Sequence, residues 1–222
     1  MSLSIALDGP VGAGKSTVAD EVARRLGILH LDTGAMYRAV GLTALRRGVD
    51  VQDEGAVTAL CDGLAITVFC EDDGQRTLVD GEDVTAFLRT EDVSMAASTV
   101  AKYAGVRRAM VALQQRFAAC TDMLLDGRDI GTRVLPKATV KVYLTASDEE
   151  RARRRLKQLR EKGGSDTFEQ VLADLRRRDE QDMNRAVDPL AVAEDARVVD
   201  STGLTFNETV EAIVALVKEK QS

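Results

Sequence analysis

The run Gly9-Pro10-Val11-Gly12-Ala13-Gly14-Lys15-Ser16 fits G-x-x-x-x-G-K-[ST], the spacing of a phosphate-cradling loop. Glycines at these places let successive backbone N–H groups turn inward onto an anion. Lys15 is then placed to reach β- and γ-phosphates, and the Ser16 hydroxyl to meet Mg²⁺. Thr17 follows directly, so the spacing leaves open which of the two hydroxyls meets the metal. A helix beginning here would add the positive end of its dipole to the same anion. The chemistry these residue types can do is the binding of a nucleoside triphosphate.

A second group bears on the fate of that triphosphate. Met123-Leu124-Leu125 runs into Asp126, a place suited to a carboxylate facing the nucleotide, and Gly127-Arg128-Asp129 follows instead of a water-activating glutamate. An arginine there points to a second anion, hence to transfer onto a bound acceptor rather than hydrolysis. No N-K-x-D occurs, which disfavours a guanine-nucleotide switch. Farther on, Phe168, Val171, Leu172 and Leu175 mark the buried face of a helix, with Asp166 and Glu169 spaced as a capping-box variant at its start. Arg178, Asp182 and Arg185 fall within about 60° of one another at the edge of that face. Buried charges of this kind must meet each other or a charged ligand. Asp179 lies on the same arc, so a helix end with Asp–Arg pairs in solvent fits the spacing too.

In the preceding helical stretch Ala152, Leu156 and Leu159 form a narrow apolar stripe, while Arg151, Arg154 and Arg155 share an adjacent arc of about 100°. That arc reads either as a solvated face or as a lid clamping transferring phosphates, with Gly163-Gly164 as compliant backbone. The one histidine, His30, falls in an apparent strand and reads as structural.

The elements that must position these groups alternate in kind. Short apolar runs at Ile5–Asp8, Ile28–Asp32, Met123–Asp126, Val140–Leu144 and Val198–Asp200 are candidate parallel strands, with helical patterns between them. After the glycine loop, Val18, Val22, Ala23 and Leu26 recur at helical spacing, and Gly27 stands where that helix would stop. This is the rhythm of a three-layer α/β fold, whose ligands gather at the carboxyl ends of the strands. Asp8, Asp32, Asp126 and Asp200 each end a candidate strand and read either as turn signals or as the rim of one pocket. One stretch departs from the pattern: Ala65–Cys70, Thr77–Val79 and a short run to Val84, separated by Asp73-Gly74 and Asp80-Gly81, predict an antiparallel three-stranded meander inserted over residues 63–90.

In Asp8-Gly9-Pro10-x-Gly12-Ala13-Gly14-Lys15, Leu31-Asp32-Thr33-Gly34-Ala35-Met36-Tyr37-Arg38 and Asp126-Gly127-Arg128-Asp129-Ile130-Gly131-Thr132, the chain resembles the bacterial cytidylate (CMP) kinases over essentially its whole length. Arg178-Asp179-x-x-Asp182-x-Asn184-Arg185 and Asp200-Ser201-Thr202 extend the resemblance. It implies a P-loop kinase fold as one domain over residues 1–222, with a five-stranded parallel sheet, the meander as a monophosphate-binding insert, and a short helical lid at 148–165. It implies transfer of the γ-phosphoryl of ATP to CMP or dCMP, with Mg²⁺. Gly9 through Thr17 would bind ATP. Thr33, Arg107, Asp129 and Arg185 would contact the cytosine, with Tyr37 beside them. Arg38 and Arg128 would hold the CMP phosphate, and Ser98, Arg178 and Asp182 would reach the ribose. Lys15, Arg128 and the lid arginines Arg151, Arg154 and Arg155 would act on the transferring phosphates. Where the family often has serine, this chain has Thr33, which keeps the hydroxyl and adds a methyl.

Composition narrows the alternatives. With 222 residues and 45% hydrophobic content the chain can bury one substantial core. No run approaches the ~18 apolar residues of a membrane span, and the start lacks the pattern of a secretory signal. A net charge of −6 argues against a broad nucleic-acid-binding face. Cys61, Cys70 and Cys120, odd in number and without metal-ligand spacing, read as reduced and mostly buried thiols, which with the rest predicts a cytoplasmic enzyme acting as a monomer. The rival readings are another small-molecule P-loop kinase, taking AMP, UMP or shikimate, and a nucleotide-binding module that transfers nothing.

Overall fold

A computed structural model describes residues 3–71, 74–161 and 163–221 of the chain. In chain order the elements are β1 (Ser4–Asp8), α1 (Lys15–Leu26), β2 (Leu29–Asp32), α2 (Thr33–Arg46), α3 (Glu54–Asp62), β3 (Ile66–Glu71), β4 (Gly74–Val79) and β5 (Glu82–Asp83). They continue with α4 (Glu91–Val100), α5 (Ala104–Ala118), β6 (Met123–Gly127), β7 (Val140–Thr145), α6 (Asp148–Glu161), α7 (Phe168–Asn184), β8 (Arg197–Asp200) and α8 (Phe206–Gln221).

The five apolar runs form one parallel sheet in the order β2-β6-β1-β7-β8, each within a residue of its expected bounds. Alternation along β1 explains why both faces are covered. Ile5 and Leu7 point into a cluster with Val18, Val22, Val210 and Ile213 from α1 and α8. Ala6 points the other way, into a larger cluster with Met36, Val57, Val100 and Met110 from α2, α3, α4 and α5. Full burial of each such Leu, Ile or Val side chain is worth roughly 1.5–3 kcal/mol, so the two clusters hold the layers together. β1 lies between β6 and β7, and the chain must cross it to pass from one to the other. Registers set Asp8 beside Gly127 and Tyr143, and Asp32 beside Asp126, so these carboxyl strand ends meet at one edge.

β3, β4 and β5 form the separate antiparallel meander. Its second turn is Asp80-Gly81, with φ of 51° and 87°, the two positive values of a type I′ hairpin. Asp73 of the first Asp-Gly pair and the Cys70 side chain lie outside the described residues, as does Lys162 at the end of the lid segment. A third small cluster of Ala152, Leu156, Val171 and Leu175 packs α6 on α7 and includes Val11 of the phosphate loop.

Three sequence expectations change. α7 is capped one residue later than Asp166: the Thr167 hydroxyl accepts from Gln170 N, and the Gln170 side chain accepts from Thr167 N. That reciprocal pair satisfies two otherwise open helix donors, which the Asp166–Glu169 spacing does not. Cys61 is buried but Cys120 is exposed, because it follows the last turn of α5, beyond the core. Asp200, the last residue of β8, is exposed and its carboxylate takes the Thr202 N–H and hydroxyl, so it stands apart from the other three strand-end aspartates.

Candidate active site

The loop between β1 and α1 is shaped by backbone conformation. Gly9 has φ 153°, and a Cβ there would lie 2.0 Å from the Leu144 carbonyl oxygen, so any side chain would push β7 away. Gly14, at φ 86°, lets α1 start with its N–H groups turned toward the loop. Lys15 is buried, and its Nζ donates to the Pro10 carbonyl at 2.7 Å. Burial, with the Arg128 guanidinium adding, pulls the Lys15 ammonium down to about 7.

Ser16 and Thr17 separate clearly. Thr17 is exposed, whereas the Ser16 hydroxyl donates to Asp126 Oδ2 at 2.8 Å. The other oxygen of Asp126 meets His30 Nε2 at 3.0 Å, and His30 Nδ1 meets Asp20 at 2.6 Å. Burial alone would lower the imidazole, but its hydrogen bonds to Asp126 and Asp20 outweigh that and hold it well above its usual value. Burial likewise opposes ionisation of Asp126, and the His30 hydrogen bond and charge overcome it and keep the carboxyl low. His30 therefore serves as the buried counter-charge beneath Asp126.

Across the strand ends the cations come from many elements. Arg38, one turn into α2, donates to Asp32 Oδ2 at 2.5 Å, while its Nε is buried and, among the described residues, has no hydrogen-bond partner. Asp32 also caps α2 by accepting from Ala35 N, and Gln75 of the meander brackets its backbone on both sides, N to Oε1 and Nε2 to O. Arg128 donates to Asp182 of α7 at 2.8 Å. Arg178, half-buried on the same helix, is pushed below its ordinary value by burial, with Arg128 and Arg155 adding.

Arg107 and Arg185, their side chains at most 5% exposed, share Asp129: Arg107 Nη2 takes one oxygen and Arg185 Nη2 the other at 3.0 Å. The Tyr37 ring lies 5.7 Å from the Arg107 guanidinium carbon. The Thr33 hydroxyl donates to the Asp126 carbonyl at 2.7 Å, which leaves its oxygen free to accept. Ser98 is held to α7 by the Gln181 amide at its hydroxyl and carbonyl.

The three arginines expected on a lid do not converge. Arg151 is 3% exposed and donates to the Val11 carbonyl at 2.7 Å and to Asp179, whose second oxygen accepts from Val11 N at 2.9 Å. Arg154 is tied to Glu150 and Ser201, and Arg155 is exposed. Asp179 therefore leaves the solvent-facing role its arc allowed: it is buried and braces the phosphate loop against α7. Sequence reasoning missed that role, along with those of Gln75 and Gln181, because each acts through a partner distant in the chain. Only Asp179 carried a signal, its place beside Arg178 and Asp182 on one arc.

Among the described residues, no group of three or more His, Cys, Asp or Glu is placed to hold a metal. Nor, among them, is any helix long and apolar enough to cross a membrane.

A family model described as cytidylate kinase matches residues 5–219. A cytidylate kinase of Enterococcus faecalis is 49% identical over 218 residues, 98% of this chain and 96% of that protein. One from Shouchella clausii is 49% identical over 216 residues, covering 97% and 96%. Among solved structures, an uncharacterized protein from Eubacterium ventriosum matches 98% of this chain and 99% of its own with a TM-score of 0.56 at 8% identity, a likeness of fold alone.

Proposed function

The chain belongs to the cytidylate kinase family, and we propose that the site described above carries that family's reaction, transfer of the γ-phosphoryl of ATP to CMP or dCMP, in the roles that follow. One observation carries the assignment of roles. Lys15 is buried with its ammonium on the Pro10 carbonyl, half-buried Arg128 is held by Asp182, and the two like charges disfavour one another, an arrangement that anions between them would ease. A triphosphate on one side and a monophosphate on the other relieve it.

Gly9 to Thr17 wrap the ATP phosphates, and Lys15 swings from Pro10 onto the β- and γ-oxygens. Mg²⁺ fits beside it: the Ser16 hydroxyl and Asp126 carboxylate, 2.8 Å apart, are the hard oxygen donors it takes, and the exposed Thr17 is the poorer candidate. Bound with ATP, the ion neutralises charge developing on the phosphate oxygens. Arg38 turns its unpartnered Nε to the CMP phosphate and Arg128 meets the same group, so that its oxygen attacks the γ-phosphorus in line while the bond to the β–γ bridging oxygen breaks and ADP leaves. Asp182 and Arg178 then hold the ribose, with Ser98.

Thr33, Arg107, Asp129 and Arg185 read the base, with Tyr37 against Arg107. A carboxylate accepts from the cytosine amino group, and arginine donates to its carbonyl and ring nitrogen. Arg151 holds the loop through Val11, while Arg154 and Arg155 close on the phosphates as residues 148–165 move as a lid. Residues 63–90 serve as the monophosphate-side insert.

The test is an acceptor panel of CMP, dCMP, UMP, AMP and shikimate with coupled detection of ADP. CMP and dCMP should turn over well and UMP poorly, because uracil exchanges donor and acceptor at the edge that Asp129 and Arg107 read. Equal CMP and UMP turnover would remove the base-recognition roles. ATP binding without ADP from any acceptor would make the chain a binding module.

A further inference from the structure

Arg107 is held from a direction that base recognition alone does not require. We propose that Asp188, in the turn after α7, is a positioning residue for base selection: it holds Arg107 so that Asp129 stays able to accept from an exocyclic amino group. The inference rests on the reading of Arg107, Asp129 and Arg185 given above.

Four groups close a ring. Arg107 Nε donates to Asp188 Oδ2 at 2.9 Å, and Arg107 Nη2 donates to Asp129. Asp129 Oδ1 accepts from Arg185 Nη2 at 3.0 Å, and Arg185 Nε donates to the Asp188 carbonyl at 2.5 Å. Asp188 can offer carboxylate and carbonyl to the same side because its φ is 46°. That left-handed region is uncommon for residues other than glycine, and Asp is among those enriched there. Arg107 Nη1 goes to the Ala101 carbonyl at 3.3 Å. At 1% exposure Arg107 has no access to water with which to replace a lost partner.

What the brace prevents follows from arginine chemistry. A guanidinium beside a carboxylate favours two parallel bonds, and the Nε–Nη2 edge is one fork that can make them. With Nε committed to Asp188, Arg107 meets Asp129 through Nη2 alone. Without Asp188 the whole fork is free to close on Asp129, turning the carboxylate plane toward Arg107 and away from a base. The loss falls on cytosine, whose amino group needs that acceptor, and not on uracil, which presents an acceptor of its own there.

The experiment compares full-length wild type, Asp188→Gly and Asp188→Asn by kcat/KM for CMP and for UMP, KM for ATP, and thermal unfolding. Glycine adopts the same φ without the carboxylate. The CMP-over-UMP preference should fall about tenfold or more, mainly through KM for CMP, as expected for a lost acceptor in a desolvated site. KM for ATP should stay within about twofold, a split that general loosening of the fold would not give. Asparagine keeps both the left-handed backbone and a side-chain acceptor, and should recover most of the preference. An undiminished preference in Asp188→Gly overturns the proposal, as does an Asp188→Asn variant as impaired as the glycine one. If Asp188→Gly unfolds at the assay temperature, Asp188→Ser, too short to reach Arg107, takes its place with the same expectation. A wild type inert toward CMP sinks the underlying reading as well, whereas an active wild type with an unaltered preference in the variants sinks the brace alone.

Discussion

Around the phosphate loop, the groups that face a ligand come from residues 9 to 16 and are largely main chain. On the other side, Arg38, Arg107, Arg128 and Arg185 arrive from α2, α5, the end of β6 and the end of α7, each held by an aspartate from elsewhere. In the proposed roles the loop reads phosphate, which every nucleoside triphosphate shares, and a fixed backbone suffices for that. In those same roles the opposite side tells one base from another, through side chains that substitution can change one at a time. On that reading, binding strength is built locally and selectivity is assembled over distance. Asp179 joins the two, since it holds Val11 and Arg151 from the helix that also carries Arg178 and Asp182.

The sharpest way to break this division is Lys15→Met. Removing a charge aimed at the developing phosphate negative charge should lower kcat about 10²–10³-fold, with binding of CMP, measured calorimetrically without ATP, nearly unchanged. Equal damage to CMP binding would mean that the two sides are one. Arg185→Ala is the complementary change. Loss of its charged hydrogen bonds should cost roughly ten- to a hundred-fold in kcat/KM for CMP and leave KM for ATP alone; steady-state kinetics with each substrate varied decides it.

A smaller effect comes from Asp8, which serves both sides by accepting the Ile130 and Gly131 N–H groups at 2.7 Å each. Burial, with Asp129 adding, pushes its carboxyl up to about 6 from 3.8. The folded chain therefore keeps this proton where the unfolded chain has released it. The stabilisation is complete below about pH 4 and is lost as pH rises through about 6. Between about pH 5 and about pH 7 the wild type should lose roughly 1 kcal/mol relative to Asp8→Asn in urea unfolding. A constant difference across that range would show Asp8 ionised throughout.

The same division governs what could be read from the chain before its fold was known. The loop, its helix and the five strands are signalled by contiguous residue types, so their places came within a residue. On the other side, the strand-end aspartates and the ionic arc of α7 marked where the proposed site lies, but not which charges pair. Asp179 showed the limit: its spacing allowed solvent as readily as a buried partner, and the choice depended on Arg151, 28 residues away. Asp188 gave no signal, because its φ and its reach to Arg107, 81 residues back, exist only in the folded chain.

Gln75 has a consequence beyond its place near Arg38. β2 is an outer strand of the large sheet, and its last residue would otherwise present an open N–H and C=O to any passing extended chain. A primary amide carries the same donor and acceptor as a peptide unit, and Gln75 lays both against Asp32 as a neighbouring strand would. The meander thereby contributes a single side chain that imitates a sixth strand one residue long, a stopper at a margin where sheets are prone to stick to one another.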